Sequence, residues 1–188
     1  VIDTETAREQ IVDAADRLFY ARGIHAVGMD AVRAEAGISL KKMYSVFPSK
    51  DALLIEVLHR RTRQWDAGIA GAASSAHGPR EKLLAVYDFL DEWFREDDFR
   101  GCAFINSFAE LGAASPEVAG AAREQKADFQ RYVAELVAEI GGPPALAAQL
   151  ALLAEGAQTT AAISGTPDAA KHARDAASVL IEAALARG

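Results

Sequence analysis

Residues 28–54, GMDAVRAEAGISLKKMYSVFPSKDALL, set the reading of the whole chain. They scan as two short helices on either side of a tight turn, with a third helix following at once. Asp30 to Glu35 make a short amphipathic helix with Met29, Val32 and Ala36 along one side. Gly37 stands where a helix ends in a left-handed residue, a conformation glycine adopts at little steric cost. Ser39 is a good N-cap for the next helix, because its hydroxyl accepts from the free N–H groups of the first turn. Leu40 to Phe47 carry Lys41 and Lys42 and no acid. Pro48 stops this segment, and Ser49 caps a further helix that starts at Lys50. A helix, a short glycine-containing turn and an exposed basic second helix have the geometry that fits the major groove of DNA.

The rest of the chain is helical by the same kind of signal, and the expected fold class is all-α, with nine helices and no sheet. The first helix runs from about Thr4 to Arg22, with Ile11, Ala15, Leu18 and Phe19 at helical spacing, and Gly23 ends it. The helix after Ser49 continues to about Ala73, with Leu54, Leu58, Arg61 and Trp65 down one stripe. Four proline signals then mark helix starts, since proline suits a first turn that has no use for its missing N–H. They are Pro79, Ser115-Pro116, Gly142-Pro143-Pro144 and Thr166-Pro167-Asp168. Residues 101–112, GCAFINSFAELG, read as a short helix apolar nearly all round, a pattern that usually means burial. Two domains are expected, 1–48 and 49–188.

The 188 residues are ample for a packed core. Alanine, leucine, glutamate, arginine and glutamine dominate while β-branched residues are sparse, which favours helix. The apolar runs are too short and too often broken by charge to span a bilayer, so no membrane partner is expected. There is one cysteine and no secretory hydrophobic region at the start, which points to the cytoplasm. Val1 is not an initiator methionine, which leaves room for a natural N-terminal extension. The formal net charge is −7, which excludes a protein that coats nucleic acid with its whole surface. The charge is uneven, however. Residues 1–66 hold ten basic and ten acidic side chains, so the acidic excess lies wholly in residues 67–188. A contact field is local and screened within about 8–10 Å, so a basic helix on an acidic body remains compatible with DNA.

Ala36, Gly37, Ile38, Ser39, Met43, Tyr44, Phe47, Ser49, Lys50 and Leu53 follow the pattern A-G-[VI]-S-x-x-x-[LM]-Y-x-x-F-x-[SN]-K-x-x-L. On these residues the chain resembles the tetracycline-repressor (TetR) family of transcription regulators, and the likeness reaches back through the first helix to about Ala7. It covers roughly the first third of the chain. Leu40 and Lys42 stand where many members have polar or small residues, and Val46 replaces a frequent His. These departures bear on which bases are read. The expected DNA-binding residues are Ser39, Leu40, Lys41, Lys42, Tyr44, Ser45 and Lys50. Lys41 and Lys42 have the reach for base edges or phosphates. The Tyr44 phenol is a donor for a phosphate, and the resemblance implies that same role. Lys50 sits at the first turn of a helix, where the macrodipole disfavours a cation, so a nearby phosphate would reverse the penalty. Met43 and Phe47 are expected in a small core with Phe19 and Leu53.

Beyond the first third the resemblance is one of architecture, and it implies a helical body that binds a small molecule and dimerises. Trp65, Tyr87, Trp93, Phe104, Phe108 and Phe129 are candidate ligand-binding residues, with Gln158 and with Asn106 on the apolar helix, although plain core packing is the stronger reading for most of the aromatics. Asn106, Ser107 and Glu110 need partners if buried. Either they hydrogen-bond neighbouring helices, or they face a cavity whose ligand supplies the partner. An aromatic pocket with a few polar groups is the usual form of a small-molecule site. The last two helices are rich in small residues on more than one face. Leu146, Leu150, Leu153, Ala173, Ala177, Leu180 and Ala184 are the candidate homodimer interface, since a helix-turn-helix generally reads half-sites as a symmetric pair.

Signals for an enzyme are thin. Glu56 and His59 form one Glu-x-x-His pair, which a di-iron bundle needs twice together with two more glutamates. No zinc spacing, phosphate-binding glycine loop or nucleophile elbow occurs, and no cofactor or metal is expected. Cys102 is best read as a buried inert thiol, a redox sensor being the other reading. The leading expectation is a homodimeric repressor that leaves a palindromic double-stranded DNA operator when a small apolar or aromatic effector binds. Its main rival is a helical ligand-binding or partner-binding module without specific DNA function.

Overall fold

A computed structural model of the chain describes residues 3–186. Among them are nine helices and no strand, as expected: α1 (Thr4–Arg22), α2 (Met29–Ala36), α3 (Leu40–Val46), α4 (Lys50–Ala73), α5 (Pro79–Phe94), α6 (Ala103–Leu111), α7 (Pro116–Glu139), α8 (Pro144–Ser164) and α9 (Asp168–Leu185). The start and stop residues act as their chemistry requires. Asp3 caps α1 by accepting from the N–H groups of Glu5 at 2.9 Å and Thr6 at 3.0 Å. Gly37 closes α2 at φ +67°, the left-handed conformation. Pro79, Pro116 and Pro144 open their helices, whereas Pro167 lies just before α9. None of the described helices is long and apolar enough to cross a membrane.

The chain forms two compact units. One holds the residues up to Arg63 together with Ala103–Arg123; the other holds Gln64–Cys102 together with Glu124 onward. This packing divides the chain elsewhere than between residues 48 and 49. In the first unit α1 packs on α2 and α3, and Ile11, Phe19, Val32, Met43, Phe47 and Leu53 are buried. The first half of α4 stays with this unit because arginines tie it to α1. Arg61 Nε donates to the buried Asp16 carboxylate at 2.6 Å, and Arg60 donates to Asp13 at 2.9 Å. Burial pushes the Asp16 carboxyl up, and that effect outweighs the downward pull of Arg61 and Arg60. Arg8 on α1 meets Glu56 on α4 at 2.7 Å.

The second unit is built on α5, α8 and α9, which pack on one another. Leu83, Leu90, Leu146, Leu150, Ala154 and Ile181 are among its most buried residues. This placement corrects the expected dimer face. Leu146, Leu150, Ala173, Ala177 and Ala184 all lie in this internal core, with Leu153 and Leu180 partly buried against it. The small residues bring α8 and α9 of the same chain together. The apolar side chains these helices leave outside are Leu152, Ile163 and Val179, which are 68%, 83% and 64% exposed.

The expected burial of the helix at 101–112 also needs correction. On α6 only Phe104 and Ser107 are buried; Asn106, Phe108 and Ala109 are exposed. Apolar composition overstated burial here, because a nine-residue helix has one face toward its unit whatever its other faces carry.

Candidate nucleic-acid interface

The recognition segment is held rigidly from inside. Ser39 Oγ accepts from the Lys42 N–H at 3.2 Å, which caps α3. Met43 is fully buried and Phe47 nearly so, with the Arg8 guanidinium 4.9 Å from the Phe47 ring centre. With those two side chains inside, helical periodicity turns residues 40, 41, 44 and 45 outward on one face. Leu40, Lys41, Tyr44 and Ser45 are all exposed, as is Ser39. Leu40 and Tyr44 are each 48% exposed, a large amount of apolar surface for so short a helix.

The basic residues divide into two kinds. Lys41 is exposed, and α3 has no acid to neutralise it. Lys42 is half-buried and donates to Thr4 Oγ1 at 3.1 Å, pinning α3 to the start of α1. Ser45 donates to the Lys42 carbonyl at 2.7 Å. The Lys50 ammonium donates to the Ile24 carbonyl and stands 5.7 Å from the centre of the Phe19 ring. A cation at the first turn of α4 is therefore stabilised by the protein itself, which removes the reason that pointed to a phosphate. An ammonium has three N–H groups, so two remain for an outside acceptor.

Glu110 completes the first unit in a way that residue patterns left open between a hydrogen bond and a ligand cavity. Its carboxylate accepts from the backbone N–H groups of Ile24 at 3.1 Å and His25 at 3.0 Å. The His25 Nε2 and the Glu110 carbonyl are 3.2 Å apart. Lys50 and Glu110 thus both hold the loop that joins α1 to the helix-turn-helix, one at a carbonyl and the other at two N–H groups. The signal lay in the loop. Gly23 ends α1 at φ +85°, and the N–H groups just beyond a helix end need an acceptor from elsewhere. Glu110→Ala is expected to cost about 1–3 kcal/mol, the usual penalty for stranding donors. Chemical denaturation checks this, together with faster amide exchange at residues 24 and 25.

The candidate ligand residues fall into both units. Phe104, Asn106 and Phe108 belong to the first, the latter two exposed. In the second unit Trp65 lies edge-on to Phe89, Trp93 and Phe129, with ring centres 5.5, 6.0 and 5.3 Å away. Gln158 is 1% exposed. Tyr87 is a core residue instead: it is 2% exposed and its hydroxyl donates to the Leu150 carbonyl at 2.8 Å. Burial pushes its phenol well above the usual range. Tyr87→Phe is expected to cost about 1 kcal/mol of stability, read from a denaturant melt, with DNA affinity unchanged.

A cleft of about 370 Å³ lies between α5 and α9. Its charged rim is largely paired already, Arg174 with Asp88 at 2.6 Å and Arg95 with Asp91 at 2.9 Å. Of the candidate ligand residues it includes only Tyr87. Among the described residues, no three His, Cys, Asp or Glu side chains gather closely enough to hold a metal ion.

Residues 11–57 match the family model for bacterial regulatory proteins of the tetR family. The uncharacterised HTH-type transcriptional regulator Rv1255c of Mycobacterium tuberculosis is 37% identical over 117 residues, covering 62% of this chain and 56% of the relative. The chain thus spans about half the length of the curated relatives it matches. Among solved structures, the TetR-family regulator SCO4454 from Streptomyces coelicolor superposes with a TM-score of 0.89 at 29% identity, covering 96% of this chain and 97% of that one. The TetR-type regulator sav143 from Streptomyces avermitilis gives 0.75 at 30% identity, covering 92% and 98%. These relatives are transcriptional regulators. The chain belongs to the TetR family of helix-turn-helix transcriptional regulators.

Proposed function

We propose that the chain works in the cytoplasm as a homodimeric repressor that binds a palindromic operator through α3 of each subunit and leaves it when a small effector binds. The observation that carries this reading is the outward face of α3, where Leu40, Lys41, Tyr44 and Ser45 stand exposed on a helix anchored by Met43 and Phe47. DNA contact is assigned to residues 1–48, with Lys50 adjoining as a phosphate donor, and ligand binding and dimerisation to residues 49–188. Lys42 serves mainly to seat α3, since its ammonium is already engaged. The dimer face is assigned to the exposed apolar side of α8 and α9, with Leu152, Ile163 and Val179 at its centre. The effector body is assigned to the neighbourhood of Trp65, Trp93 and Phe129. Release requires the effector to favour the state that does not bind DNA, typically by about 1–3 kcal/mol.

Selection from a random-sequence DNA pool tests this reading. The expected product is an inverted repeat whose half-sites lie about 34–36 Å apart, one helical turn. Failure to enrich any sequence would favour a ligand-binding or partner-binding module without specific DNA function. Placing the selected site upstream of a reporter then reads the sign of regulation. Repression predicts lower output with the protein present.

A further inference from the structure

Buried acceptors without donors gather on two helices of the second unit. Gln125 on α7 is 4% exposed and Gln158 on α8 is 1% exposed, and neither side-chain carbonyl oxygen receives a hydrogen bond. The Gln158 amide nitrogen is spent on the Ala154 carbonyl of its own helix, 3.3 Å away. Glu155 lies three residues before Gln158 and so shares its face of α8. Its Oε1 is also buried and receives no hydrogen bond. The nearest cation is Lys126, next to Gln125, at 3.8 Å, which is an ion pair but too long for a hydrogen bond. Lys126 instead donates to the Cys102 sulfur at 3.5 Å.

The Lys126–Glu155 pair shows that this part of α7 meets this part of α8; Gln125 adjoins Lys126 in sequence, and Gln158 follows Glu155 by one helical turn. Native interiors seldom leave such oxygens unmet, because losing water without gaining a donor is costly. Phe129 follows Gln125 by one helical turn, is buried, and has Trp65 edge-on at 5.3 Å. On α7 a buried acceptor therefore lies one helical turn from an aromatic cluster.

We propose that this site takes a small amphiphile with a flat apolar body and a hydrogen-bond-donating head, an amine or an alcohol, whose head is received by Gln125, Glu155 and Gln158. Binding at the site stands independently of the DNA-binding reading, and only its consequence for the operator rests on that reading. The class narrows the effector, because an apolar ligand without a donor would leave the three oxygens as they are.

The test uses the full chain and three probes with one body: 2-phenylethylamine, 2-phenylethanol and ethylbenzene. Calorimetric titration is expected to give binding of at least one donor-bearing probe about tenfold or more tighter than ethylbenzene. Gln125→Leu and Gln158→Leu are each expected to weaken that probe about tenfold while leaving ethylbenzene unchanged. Both replacements remove a buried side-chain oxygen that receives no hydrogen bond, so the melting temperature should hold or rise. The wild-type comparison stands even if a variant fails to fold. Glu155→Gln separates the two heads, since it weakens an ammonium far more than a hydroxyl. Equal binding of all three probes, no binding of any, or folded leucine variants that bind the donor probe unchanged would overturn the proposal. A probe that binds as expected without changing DNA affinity supports the site and contradicts its role as the effector site.

Discussion

Leu152→Glu combined with Val179→Glu is expected to turn the protein into a monomer and to weaken operator binding by about 10²–10⁴-fold, the usual gain from joining two binding modules. The two side chains are 68% and 64% exposed on α8 and α9, so the carboxylates have open water in the single chain and circular dichroism should not change. In a dimer they would be buried against their own copies, where unpaired charge is strongly disfavoured. Sedimentation velocity reads the outcome. The obvious alternatives for substitution, Leu146 and Leu150, would give a misleading result. Both lie in the core of the second unit, and truncating either would lower stability by about 2–5 kcal/mol whatever the oligomeric state.

Lys41→Ala combined with Tyr44→Phe is expected to weaken operator binding at least 30-fold without affecting the melting temperature. Each substitution acts twice in a dimer. A lost contact of this kind is worth about 1–3 kcal/mol for a base edge and about 1.5–3 kcal/mol for a hydrogen bond to a charged phosphate. If Lys41 meets phosphate, the slope of log affinity against log salt should fall by about two per dimer. If it meets a base, the slope should hold and preference at one position in each half-site should relax. Leu40→Ala offers a contrast, since a leucine reads thymine methyl groups by contact alone. It should change preference and leave the salt slope as it was.

The fold was legible because its punctuation is chemical. Gly37, Ser39, Ser49 and the prolines each solve a backbone problem that has few solutions, and the helix limits fall within a residue or two of where these residues place them. The exposed face of α3 was legible for a related reason, as the buried positions of Met43 and Phe47 dictate which residues remain outside. The sides of α8 were not legible. That helix is apolar nearly all round, so periodicity does not tell the face turned to the chain's own core from the face turned outward, and Leu146 and Leu150, expected at an interface, lie in the core while Leu153 is partly buried against it. The partners of Lys50 and Glu110 escaped for a different reason. They are backbone groups of Ile24 and His25, far away in sequence; the helix end at Gly23 marks N–H groups that need an acceptor, but no pattern of side chains says which residue supplies it. Ser107 and Asn106 show the same limit, because one turns inward and the other outward on a helix whose composition suggested burial throughout.

Hydrogen exchange of the full chain with and without its selected operator locates the DNA on the protein without altering any residue. DNA contact through α3 should slow exchange at residues 39–50, with a smaller effect in the loop at 24 and 25. Protection confined to other helices, with α3 exchanging as fast as in the free protein, would contradict it.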